Sequence, residues 1–148
     1  MTTSSSATIV DLPNAHDPAL YGAKAATLAA LHAAGISVPS GAVLPTTTGD
    51  RHLTQATVRL CHWAAGAGHE VLVVRSSSPS EDGADTSFAG IYQSCFTPAT
   101  PDGIRGALTR VLGSLRASVT RAYTRARAAD DEATMAVLVQ PARGAALV

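Results

Sequence analysis

The segment Val71–Gly90 reads VLVVRSSSPSEDGADTSFAG. A short apolar run ends in Arg75, and a loop rich in serine, acid and glycine follows. At the C-terminal end of a buried strand, side chains and amides project into the crevice where open α/β sheets bind ligands. An arginine there offers a rigid fork of donors that fits phosphate oxygens. Ser76, Ser77, Ser78 and Ser80 add hydroxyls with little bulk, so loop N–H groups can converge on an anion. Gly83 and Gly90 permit tight turns at either end. The chemistry read from these types and spacings is phosphate cradling around one fixed cation. Serine-rich loops are common, however, and on pattern alone a salt-bridged arginine beside a solvated loop is the favoured reading.

Several elements must hold this loop. Ala7–Leu12 reads as a short strand closed by Pro13-Asn14. Tyr21–Ala34 reads as a helix with Leu20, Ala23, Leu28, Leu31 and Ala34 near one face, stopped by Gly35. Gly41–Leu44 is a second strand. Thr46–Asp50 is a turn and helix start, and Arg51–Ala65 is a helix with Leu53, Ala56, Leu60, Trp63 and Ala64 inward. The continuous apolar run Val71–Val74 predicts a strand covered on both faces, and Ile91–Phe96 its return partner. Thr100, Pro101 and Asp102 supply an N-cap, a first helical residue and a charge suited to the dipole. Ile104, Leu108, Val111, Leu115, Val119, Ala122 and Ala126 then form one long apolar stripe. Thr134–Gln140 is the last strand, halted by Pro141.

The 148 residues suit one domain, with residues 1–6 a disordered tail and 7–148 the folded unit. Net charge is zero, which argues against nucleic acid, and the arginines of the long helix read as its solvated face. The start carries no secretory signal, and no segment approaches the roughly 20 apolar residues of a membrane span. Cys61 and Cys95 match no metal spacing and read as buried or reduced thiols, which fits the cytoplasm. His16, His32, His52, His62 and His69 are scattered and stand in no carrier motif. The apolar end Ala145–Val148 is read as an unfinished sheet edge that invites association.

The order of residues adds more. Arg75-Ser76-Ser77, Glu81-Asp82, Asp85 and Ser87-Phe88-Ala89-Gly90 stand at the spacing of VRSSATAED…SFAG. That signature belongs to the nucleotide-binding domain of phosphoenolpyruvate synthase, pyruvate phosphate dikinase and rifampicin phosphotransferase, which this chain resembles. Tyr21–Leu28 (YGAKAATL) is similar to the family's VGGKGANL, Ala34–Gly41 to its AGLPVPPGF, and Met135–Gln140 to its MAVVVQ strand. The four pieces keep the family's order and span almost the whole chain.

The resemblance implies an α+β, ATP-grasp-like N-terminal nucleotide-binding subdomain, a mixed sheet with packed helices. It implies that Lys24, the sole lysine, and Arg75 contact ATP phosphates, the first from a helix start whose amides face the same anion. Ser76, Thr86, Ser87 and Gly90 would form the loop that closes on the phosphates. Val139 and Gln140 would approach the adenine edge as a hinge, although Gln140 also reads as a plain polar strand end. ATP and Mg2+ are the implied cofactors. The reaction is phosphoryl transfer to a histidine on a separate swivelling domain. The family's magnesium and ribose ligands lie in strands beyond this sequence, so no metal ligand and no catalytic residue is assigned here. Glu81, Asp82 and Asp85 read as a solvated loop cluster. The chain alone is expected to be inactive, its partner being a segment or chain with the rest of the ATP site and the phosphohistidine domain. Ala23 and Ala25 replace family glycines, and their β-carbons are expected to crowd the phosphates. Gln93 stands where the family often has glutamate, and the Leu44–Val71 segment is short. The alternative is a non-catalytic module that keeps the fold and binds an anion or a partner protein.

Overall fold

Alternation along the strands writes two faces into one sheet. The computed structural model describes residues 8–48, 50–78, 94–126 and 135–142. Its strands are β1 (Val10–Asp11), β2 (Ala42–Leu44), β3 (Val71–Ser77), β4 (Ser94–Pro98) and β5 (Ala136–Pro141). Its helices are α1 (Pro18–Ala33), α2 (Leu53–Ala67) and α3 (Pro101–Ala126). The strand order is β1-β2-β5-β3-β4. The class is α+β as expected. The sheet, expected to be mixed, is antiparallel at every described pairing.

Leu44, Leu72, Val74, Val137 and Val139 face α2 and α3, and pack with Leu60, Ile104, Leu108 and Val111 in the larger core. Val43 and Leu138 face the other way, and meet Leu12, Ala15 and Ala25 under α1. The residue order of β3 therefore matters. Leu72, Val74 and Ser76 point toward α2 and α3, whereas Val73, Arg75 and Ser77 share the α1 face.

Local signals account for the helix ends. The Asp17 carboxylate accepts from Ala19 N at 3.0 Å, with Pro18 as the first helical residue. The Thr100 hydroxyl accepts from Gly103 N at 3.1 Å and so caps α3. Gly68 ends α2 in the left-handed conformation, φ 77°.

Two expectations change. The stripe on α1 is not the predicted one: Leu31 is 36% exposed, while Ala25 and Ala29 are fully buried. The helix is broken at Gly22 (φ 85°, ψ 158°), and small residues allow the piece beyond it to lie close to the sheet. β3 is not covered on both faces either. Val71 is 43% exposed and Phe96, on the neighbouring β4, is 58% exposed. Residues 1–6, most of the serine-rich loop and Ala145–Val148 lie outside the described residues.

Candidate functional site

The site is built on the last three residues of β3. Ser77 is fully buried, and its hydroxyl ties α1 to the sheet. It donates to Tyr21 O at 2.9 Å and accepts from Ala25 N at 3.1 Å. One residue on, Ser78 O accepts from Ala23 N at 3.0 Å. These bonds span the break in α1. They require the backbones to approach so closely that a β-carbon at Gly22 would collide with the Ser77 carbonyl. Gly22 also has a backbone conformation that is essentially glycine-only.

This arrangement delivers Lys24 to the strand end. Its ammonium donates to Ser76 O at 3.3 Å. Arg75 immediately precedes Ser76 and lies on the α1 face, with Ser77. The two cations are thus anchored at successive residues of one strand end. Arg75 donates from Nη1 to Gln140 Oε1 at 3.4 Å. Gln140 in turn donates from Nε2 to Pro39 O at 3.5 Å. The β3–β5 register, with Val73 opposite Gln140 and Arg75 opposite Leu138, makes Arg75 and Gln140 diagonal neighbours on one face.

The sequence-based site residues fall into groups. Lys24, Arg75 and Gln140 are brought to the α1 face. The Ser76 side chain points the other way, toward α2 and α3. It is 1% exposed, and its hydroxyl has no hydrogen-bond partner among the described residues. What Ser76 gives the Lys24 side is its carbonyl. Val139 is fully buried in the larger core and sits on a central strand paired with Ala42 and Val74. Thr86, Ser87 and Gly90 lie outside the described residues, as do Glu81, Asp82, Asp85 and Gln93.

The helix start differs from expectation in two ways. The Ala23 and Ala25 amides are satisfied by Ser78 O and Ser77 Oγ, so what α1 offers an anion is chiefly the Lys24 side chain. The Ala25 methyl is buried among Leu12, Ala15, Val43 and Leu138, so it fills the core under α1 and does not have the crowding position expected of it. Sequence reasoning missed Ser77 as the structural tie and Gln140 as the partner of Arg75. The alternation of β3 could have separated Ser76 from Ser77. The Arg75–Gln140 contact spans 65 positions and has no local signal.

Among the described residues, no three His, Cys, Asp or Glu side chains gather to hold a metal ion, and no helix is long and apolar enough to cross a membrane. Burial raises the Cys61 thiol pKa above its ordinary 9.0, which keeps the thiol protonated near neutrality. Cys95 is buried. Neither thiol is placed as a nucleophile. No curated protein matches the chain. Residues 50–146, most of its length, match the family model of the pyruvate phosphate dikinase AMP/ATP-binding domain.

Proposed function

The chain belongs to the pyruvate phosphate dikinase AMP/ATP-binding domain family, and on that premise we propose that it binds ATP with its phosphates between Lys24 and Arg75. The observation that carries this reading is the anchoring of both cations at the end of β3, one on Ser76 O and the other at the preceding residue. An ammonium is a compact charge that can follow a phosphate oxygen, and a guanidinium is a fork that can hold two. Ser77 fixes the distance between the elements that carry them. For the base, the reading relies on main chain alone and only at the Gln140 end of β5, since Val139 is paired with a strand on each side. The Val139 side chain is in the core and the Gln140 amide is engaged.

The reaction class is phosphoryl transfer from ATP to a histidine on another segment or chain. In such transfers, catalysis is mostly positioning and charge neutralisation. Lys24 and Arg75 would supply part of that charge and hold the phosphates in line. The metal that accompanies ATP would supply more when bound. Among the described residues, no three His, Cys, Asp or Glu side chains gather to hold it. The proposed unit is one domain over residues 7–148, inactive without the rest of the ATP site and a histidine carrier.

Thermal unfolding with Mg-ATP tests the binding reading. A site saturated a hundredfold over its Kd gains about 2.7 kcal/mol, which is several degrees in Tm for a chain of this size. Lys24→Ala and Arg75→Ala should each remove most of the shift. A shift indifferent to both changes, or no shift at all, favours a module that has kept the fold and lost the nucleotide.

A further inference from the structure

Gln140 is 5% exposed, and a buried amide needs partners for both of its ends. Its two partners determine which end faces which. Arg75 has only donors, so the amide oxygen must face it. The Pro39 carbonyl only accepts, so the amide nitrogen must face that. Of the side chains of this shape, glutamine alone satisfies both. Glutamate would oppose the Pro39 oxygen, and methionine would leave both groups unmet. Gly41 makes room for this side chain, because a β-carbon there would stand 3.1 Å from Gln140 Cγ and 3.1 Å from Val139 O.

The Arg75 end of the contact is as informative. Among the described residues, Gln140 is the hydrogen-bond partner of the Arg75 side chain, and it takes one N–H of the five. Among the described residues, no other group takes the remaining donors of Arg75, which could meet an anion. A neutral acceptor restricts the guanidinium without neutralising it. We propose that Gln140 is a positioning residue: it holds the Arg75 fork on the α1 face, aimed for the phosphates that Lys24 shares. This inference rests on the phosphate-binding reading of Lys24 and Arg75. It gives the Gln140 side chain a role other than contact with the base.

A double-mutant cycle with Gln140→Met, Arg75→Met and the double variant tests it, with inorganic tripolyphosphate and ATP titrated calorimetrically into the full chain. Gln140→Met should weaken tripolyphosphate roughly tenfold. The double variant should bind no worse than Arg75→Met alone, because Gln140 acts through Arg75. Gln140→Glu should weaken binding further, since a carboxylate captures the guanidinium. Unchanged binding by Gln140→Met, or losses that multiply in the double variant, would overturn the proposal. If the wild-type chain bound neither probe, the phosphate reading would fall with it. The Arg75–Gln140 hold would then be decided by the same cycle in urea unfolding without ligand. There, non-additive losses would support the hold and additive losses would remove it.

Discussion

Lys24 Nζ lies 3.3 Å from the carbonyl oxygen of Ser76, across 52 positions of sequence. The contact depends on how α1 begins. A broken helix start at Gly22, a buried serine that bonds on both sides of the break, and a strand end that offers two carbonyls together place the one lysine on the carbonyl that follows Arg75 in β3.

Gly22→Ala should therefore do more than remove a flexible residue. The backbone conformation costs about 1–3 kcal/mol for a residue with a β-carbon, and the collision with Ser77 O adds to that. Urea unfolding should show a loss beyond 1 kcal/mol. Nucleotide stabilisation should shrink as well, because α1 must move off β3 and take Lys24 with it.

Ser77→Ala should separate scaffold from contact. It removes the acceptor of Ala25 N and the donor to Tyr21 O inside a closed interface. The expected cost is about 1–3 kcal/mol, measured by chemical denaturation. Ser76→Ala should cost far less. Its hydroxyl is buried without a partner among the described residues, and its carbonyl survives the change.

Arg75→Lys keeps the charge and loses the fork. Calorimetric titration with ATP should show weakening of roughly tenfold, because a lysine cannot hold two phosphate oxygens in a plane. Affinity equal to wild type would mean that Arg75 acts only as a point charge.

The Cys61 thiol gives a pH signature. Its folded pKa lies above the unfolded value because burial disfavours the thiolate. The contribution to stability is therefore fully present below the unfolded pKa and is lost as pH rises through the folded one. Unfolding midpoints measured from pH 7 to 10.5 should fall at the alkaline end. Cys61→Ala should flatten that fall, and alkylation of Cys61 at neutral pH should be slow.

How much of this was legible in the sequence depends on how local each signal is. α3 was readable because Thr100, Pro101 and the Ile104, Leu108, Val111 series all lie within a few turns. Lys24 and Arg75 stand out as candidates in the sequence because the motifs that resemble the family's carry them. The buried stripe on α1 was misread because periodicity weighs large side chains, and here Ala25 and Ala29 make the close contact while Leu31 faces outward. The last strand was foreseen, but not its place between β2 and β3. That pairing joins distant segments and leaves no mark near Gln140. For the same reason the Arg75–Gln140–Pro39 chain emerged only from the fold.

The most direct measurement uses the fact that Lys24 is the only lysine. Reductive 13C-methylation keeps its charge and gives a single lysine resonance. Saturating ATP, and inorganic tripolyphosphate alone, should both move that resonance, adenosine should not, and Arg75→Ala should raise the concentration required. A Lys24 signal that stays in place at saturating ATP would contradict the assignment of the phosphates to this pair.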